Sequence, residues 1–266
     1  MRALVVAVLV GGVLATAAMT AQEFEIASVK ANPNDDAREG IDFQANGVRF
    51  TAFPLRTLII IAFRSDGLQR FDQLLGAPSW IATDRFDIVA NAPGLSRQPE
   101  SLPVMLRSLL RDRFRLQSHT EKRDMPAYAL IVSRLDRKLG PEVHESTIDC
   151  GANDAANAND PNRWCGIRAT PGVVVGHAVS TAQLAGNLSG YPAVDRHVTD
   201  RTGLGGRYDF RLEYSPDFLQ RLGDAGANPG PSIFTALTEQ LGLSLQPETA
   251  QLPVLVIDHI ERPTEN

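Results

Sequence analysis

This chain repeats itself once. Residues 106–130 and 233–257 align without a gap at an offset of 127, pairing Leu110 with Leu237, Phe114 with Leu241, Leu116 with Leu243, and Leu130 with Ile257. Met125-Pro126 falls on Leu252-Pro253 in the same alignment. Upstream, Arg85-Phe86-Asp87-Ile88 parallels Arg207-Tyr208-Asp209-Phe210 at an offset of 122, and Leu58 parallels Leu184 at 126. Loop insertions make an offset drift in this way. A solenoid stacks at least three shorter repeats, so the pattern predicts one supersecondary unit occurring twice.

Each copy reads as helix, strand, strand-like hairpin, helix, strand, strand. In the first, Pro54 suits a helix start, and Leu55, Leu58, Ile59, Ala62 and Phe63 follow at helical spacing. A second helix carries Leu102, Leu106, Leu109, Leu110 and Phe114. In the second copy, Ser180-x-x-Gln183 is a capping box ahead of Leu184 and Leu188. A later helix starts near Ser232, buries Ile233, Leu237 and Leu241, and stops at Gly242. Tyr208, Phe210, Leu212 and Tyr214 alternate with Asp209, Arg211 and Glu213, the mark of a sheet with one wet face. Closing strands are expected over 128–132 and 254–257, with an edge strand around Phe24 and Ile26. The expected class is α+β.

The N-terminus sets the compartment. Met1-Arg2 is a short basic region, residues 3–14 are apolar, and small residues follow from Ala15 to Ala21. Twelve residues span about 18 Å as a helix against the ~30 Å of a bilayer core, so a signal peptide cleaved after Ala18 or Ala21 is expected, with an uncleaved anchor as the alternative. Cys150 and Cys165 enclose fourteen residues rich in Asn, Asp and Ala, read as a surface loop. In an oxidising compartment the pair is expected to be a disulfide. The predicted organisation is a signal segment at 1–21, a first unit at 22–139, a linker loop at 140–170 and a second unit at 171–266.

Composition excludes several classes. With 43% hydrophobic and 21% charged residues the chain is neither disordered nor fibrous. A net charge of −5 argues against nucleic-acid binding, and two scattered cysteines argue against a zinc finger. No cofactor or metal ligand set can be named. Gly186-Asn187-Leu188-Ser189-Gly190 puts its serine one place late for a nucleophile elbow, and Gly203-x-Gly205 reads as a tight turn into Tyr208. Asp258-His259 could orient acid–base chemistry, but no nucleophile accompanies it. The recurring pairs Asp84-Arg85, Asp112-Arg113 and Asp200-Arg201, with Arg207 and Asp209, are expected to cap turns and pair across strands.

Charge is uneven. Residues 22–139 hold 17 basic and 15 acidic side chains, whereas residues 140–266 hold 8 and 16. Arg107 and Arg111 share a helix face with Arg115 close by, and Arg201 and Arg207 flank a glycine-rich turn. These five arginines are the candidate interaction surface for an anionic partner.

Several motifs carry a family resemblance. They are Phe24-Glu25-Ile26-Ala27-Ser28-Val29-Lys30, Gly76-x-Pro78-x-Trp80, and Met105-Leu106-Arg107 through Asp112-Arg113-Phe114-x-Leu116. Further on come Asp200-Arg201-Thr202-Gly203-Leu204-x-Gly206-Arg207-Tyr208-Asp209-Phe210 and the tail from Val256 to Asn266. Together they resemble a soil-associated paralogous family of exported bacterial proteins described only as a domain of unknown function. The resemblance implies export and brings no catalytic residues. Phe63-Arg64-Ser65 departs from the family, which tends to have a tyrosine there. At the level of pattern alone, the leucine-rich helices are similar to the small N-terminal domains of secretins and TonB-dependent receptors. The expected function is a non-enzymatic binding module engaging a peptide, glycan or envelope protein, with an unrecognised hydrolase as the alternative.

Overall fold

In the computed structural model, which describes residues 24–34, 37–93, 95, 99–150, 164–216 and 230–263, the chain forms three four-stranded sheets. The expected signal segment and most of the loop between the cysteines lie outside the described residues. The first sheet is antiparallel throughout and contains β1 (Ile26–Asn32), β2 (Gly40–Gln44), β3 (Gly47–Pro54) and β5 (Arg85–Asn91) in the order β1-β5-β3-β2. Another antiparallel sheet contains β7 (Val143–Glu145), β8 (Gly166–Thr170), β9 (Val173–Val179) and β11 (Tyr208–Glu213) in the order β7-β11-β9-β8. The stretch 140–170, expected as a linker loop, thus supplies β7 and β8. Its Asn/Asp-rich middle outweighs the short apolar signals at Val143 and Ile167 that make these strands.

The remaining sheet joins the two halves of the chain. Its order is β10-β6-β12-β4, from β10 (His197–Asp200), β6 (Gln117–Val132), β12 (Leu243–His259) and β4 (Leu74–Leu75). β6 and β12 pair antiparallel from Leu243 opposite Val132 to His259 opposite Gln117. Each short strand crosses to the partner half: β4 lies parallel to β12, and β10 parallel to β6. Here the sequence reading needs correction. The two closing strands expected in each half are one strand each, running straight through Met125-Pro126 and Leu252-Pro253. A proline lacks the N–H a central strand needs, which is why each looked like a break. Pro126 sits one residue before β10 begins to pair, and Pro253 two residues before β4 does, where the long strand is flanked on one side only.

The helices follow the apolar spacing. α1 (Leu55–Ala62) continues from β3 and buries Leu55, Leu58, Ile59 and Ala62. α2 (Trp80–Thr83) is a single turn, and α3 (Leu102–Phe114) buries Leu106, Leu109, Leu110 and Phe114. α4 (Thr181–Leu188) opens with the capping box: Gln183 N–H donates to Ser180 Oγ at 3.2 Å, and Ser180 N–H donates to Gln183 Oε1 at 2.9 Å. α5 (Ile233–Ala236) is capped by Ser232 and widens into a π turn over Leu237–Leu241. Gly242 then takes φ 67°, which only glycine adopts at no steric cost.

Two large cores and a small cluster of Ala127, Ala250 and Leu252 result among the described residues, and each draws on both halves of the chain. The first packs α1, α3 and the inner faces of β3 and β5 against Leu116 together with Leu255 and Ile257 of β12. The second packs α4, α5 and β11 against Leu243 together with Leu130 of β6. At the repeat offset of 127, Leu116 corresponds to Leu243 and Leu130 to Ile257, so the same positions close both cores.

A bulge recurs at matching places. Ala52 and Ala178 both have left-handed backbones, with φ 55° and 51°. Ala52 N–H donates to Asp87 Oδ1 at 2.8 Å, and Arg85 Nη1 donates to the Ala52 carbonyl at 2.9 Å. In the other sheet Ala178 N–H donates to Asp209 Oδ1 at 2.7 Å, and Arg207 Nη1 to the Ala178 carbonyl at 2.8 Å. The Arg-x-Asp repeat therefore clamps a left-handed alanine twice, and this clamping accounts for the motif. Opposite residues also trade size: Phe50 faces Ile88 in the first sheet, while Gly176 faces Phe210 in the other.

Candidate functional site

α1 and α4 face each other across a cleft of about 540 Å3. That volume falls within the ~300–1,000 Å3 typical of small-molecule sites. Ile60, Ile61 and Arg64 form part of one wall; Gly186, Asn187 and Gly190 form part of the other. Each residue of the second set lies 126 residues beyond its counterpart in the first, the offset that relates Leu58 to Leu184. Corresponding positions thus meet across the cleft with different chemistry. Bulky apolar groups stand on the α1 side, and glycine and an amide on the α4 side. The small residues at 186 and 190 leave space there.

Three cleft-lining residues carry polar atoms that are shielded from solvent and have no hydrogen-bond partner among the described residues: Gln69 Oε1, Asn187 Oδ1 and Tyr191 Oη. Buried polar groups are almost always paired, so three orphans around one cleft mark it out. Tyr191 meets Tyr214 edge to face, with ring centroids 6.0 Å apart. Burial, with Tyr214 beside it, pushes the Tyr191 hydroxyl up to about 12, so it keeps its proton and remains a donor at physiological pH. Arg64, at the rim, is the one charged residue among the described residues of the walls.

Arg70 fixes the geometry of this junction. Its guanidinium donates to the carbonyls of Ser189 at 3.0 Å, Val194 at 2.8 Å and Asp195 at 2.8 Å, binding the segment after α1 to the segment after α4. Gln73, fully buried, accepts from the Gln69 and Arg70 N–H groups and donates to the carbonyls of Gly67 and Pro253. His197 lies behind the same junction with Nδ1 unpaired; burial first, then the Arg70 charge, lowers its pKa below 6.5, against a smaller opposing pull from Asp72.

The five arginines read from the sequence each have partners of their own. Arg107 donates Nε to the Ala62 carbonyl at 2.7 Å, forms an ion pair with Asp66 at 3.0 Å and stacks over Phe63, so it fastens α3 to the end of α1. Arg207 serves the bulge clamp. Arg111 is exposed and bonds Asp112 and Ser108, and Arg115 ends α3 in an exposed left-handed conformation. Arg201 reaches Glu248 at 3.5 Å from the turn after β10.

The other sequence candidates are placed as follows. Asp258 bonds His119 at 2.9 Å and His259 bonds Glu261 at 2.8 Å, all on exposed side chains, so Asp258 and His259 turn to separate partners. Asp84 holds Arg262 at 2.7 Å, Arg113 donates to the Ala27 carbonyl, and Asp200 accepts from Thr181 and Thr202. Cys150 and Cys165 are joined as a disulfide with Cα atoms 6.1 Å apart. Among the described residues no cluster of three or more His, Cys, Asp or Glu side chains is arranged to hold a metal. Sequence reasoning missed the cleft. Its only trace was the substitution of Gly186, Asn187 and Gly190 for bulkier residues in the first copy.

Fold and site together define an α+β protein in which a shared sheet unites the two halves of the chain and a ligand-sized cleft lies between α1 and α4. The chain belongs to the family described as "Protein of unknown function (DUF3738)", whose model matches residues 56–260. No curated protein and no solved structure matches it.

Proposed function

We propose that this protein is an exported, non-enzymatic binding module of the cell envelope or extracellular space, and that its cleft is where the ligand sits. The observation that carries this is the set of three unpartnered polar atoms on residues lining one ligand-sized cleft. Leaving such atoms unpaired costs a fold about 1–3 kcal/mol each, a cost that a ligand can relieve. Export is supported by the signal-like N-terminus and the disulfide. The resemblance to a soil-associated exported family and the weaker likeness to secretin and TonB-receptor domains point to the same compartment.

Internal duplication is part of this proposal. It is supported by the matching strand orders, the recurring Arg-x-Asp clamp and the equivalent leucines that close both cores. In this reading the cleft arose where the copies diverged. The exposed Arg111, Arg115 and Arg201 are secondary docking points for an anionic partner. A hydrolase gains no support from the cleft walls, which lack His, Cys, Asp and Glu among the described residues.

The test is equilibrium binding of the full exported chain to arrayed peptides and glycans, repeated with a Gly186→Trp variant that fills the cleft. Retention of one ligand class by the parent chain and its loss in a folded variant is the expected result. Equal retention by both would remove the cleft from the proposal.

A further inference from the structure

The structure assigns the cleft between α1 and α4 to a neutral, hydroxyl-rich ligand, a short saccharide, on the orphaned acceptors of Gln69 and Asn187 beside the Tyr191 hydroxyl. This inference rests on the cleft being the binding seat proposed above.

Hydrogen-bond arithmetic separates the ligand classes. Gln69 Oε1 and Asn187 Oδ1 are acceptors in need of donors, while the Tyr191 hydroxyl holds its proton and can donate as well as accept. A sugar hydroxyl is donor and acceptor at once and satisfies both kinds of partner. A carboxylate only accepts and so leaves both amide oxygens unpaired, and inorganic phosphate, though its P–OH can donate, brings a charge that Arg64 alone among the described lining residues would offset. Proline-rich peptides suit aromatic grooves, and Tyr191, Tyr214 and two prolines line this one. Prolines, however, carry no N–H to give to the amide oxygens. The apolar side of the cleft also fits a sugar. Ile60, Ile61 and the tyrosine rings offer flat apolar surface to the C–H faces of a pyranose, and the amides on other walls meet its rim of hydroxyls. Since the walls carry no acid, the ligand need bring no cation.

The orphans also make the claim testable against a purely structural role. Tyr191→Phe and Asn187→Ala each remove a shielded unpaired atom, so the melting temperature should hold or rise. The same changes should weaken a bound saccharide about tenfold, the effect of losing one hydrogen bond. The experiment is isothermal titration of the full chain with maltotriose, cellotriose and chitotriose, alongside hexaproline and inorganic phosphate. Saturable binding of a trisaccharide, weakened by both substitutions without loss of melting temperature, is the expected result. Saccharide binding that survives both substitutions overturns the assignment. Binding of hexaproline or phosphate alone, lost in Tyr191→Phe, overturns the saccharide class and leaves the cleft as a binding seat. No binding of any probe overturns both.

Discussion

Asp87 holds the backbone N–H of Ala52 at 2.8 Å, and this contact keeps an alanine in a left-handed conformation that its side chain disfavours. Asp209 does the same for Ala178 at 2.7 Å. Asp87→Ala and Asp209→Ala should each lower unfolding stability by about 1.5–3 kcal/mol, the range for hydrogen bonds to charged groups. By contrast, Ala52→Gly and Ala178→Gly should be nearly neutral, as relief of a ~1–2 kcal/mol left-handed penalty offsets glycine's ~0.5–1 kcal/mol entropic cost and the ~0.8 kcal/mol lost with a buried methyl. Urea denaturation compares the four variants. A loss in the glycine variants as large as in the aspartate variants would show that the bulges carry no strain.

The exchange of sizes between Phe50/Ile88 and Gly176/Phe210 makes a second prediction. A side chain at position 176 would overlap the Phe210 ring, so Gly176→Phe alone should cost about 3 kcal/mol or more. Adding Phe210→Ile reproduces the pair found in the first sheet and should recover most of that loss. A double-mutant cycle measures the coupling. Additive losses would mean that the two sheets do not share one packing scheme.

The disulfide closes a loop of known length, with fifteen positions separating Cys150 from Cys165. In the chain-entropy model such a loop contributes about 3 kcal/mol. Replacing both cysteines with serine should lower stability by about that amount, and dithiothreitol should have the same effect on the parent chain. Differential scanning calorimetry with and without reductant compares the two.

Acid should act through His197. Burial lowers its pKa from 6.5, so the folded state resists protonation that the unfolded chain accepts. Its stabilising contribution is complete above pH 6.5 and is lost as pH falls below that value toward the lowered pKa. His197→Gln should therefore flatten the decline of melting temperature between pH 6.5 and 5. His119 has the opposite sign. Hydrogen bonding to Asp258, reinforced by the charge of that carboxylate, raises its pKa, so its midpoint by NMR should lie above 6.5 and fall in Asp258→Asn. Its contribution is present below pH 6.5 and lost as pH rises through the raised pKa. Both partners of this pair are exposed, so it should leave melting temperature almost unmoved.

Local patterns in the sequence were strong enough to place α1, α3, α4 and β11, because each follows one apolar period with its caps. The long strands were obscured by Pro126 and Pro253, whose breaking power depends on whether a neighbouring strand needs the missing N–H. Topology settles that, and composition does not. The clamp was visible as a repeated Arg-x-Asp, but its target, a left-handed alanine 29 to 35 positions away, has no signature of its own. The cleft was harder still. It is made by what Gly186 and Gly190 lack, and its walls come from segments over a hundred residues apart that Arg70 brings together.

The crossing of β4 to β12 also governs when this chain can fold. Leu74 finds its neighbour only at Leu255, and the first core waits for Leu255 and Ile257. Contacts so distant along the sequence slow folding, because loop-closure entropy is lost before any pairing rewards it. A nascent chain that has not yet reached Leu255 would therefore hold an open sheet edge and an unsealed apolar core. Completion of the fold waits for β12, and the first core stays open until the far half of the chain has been made.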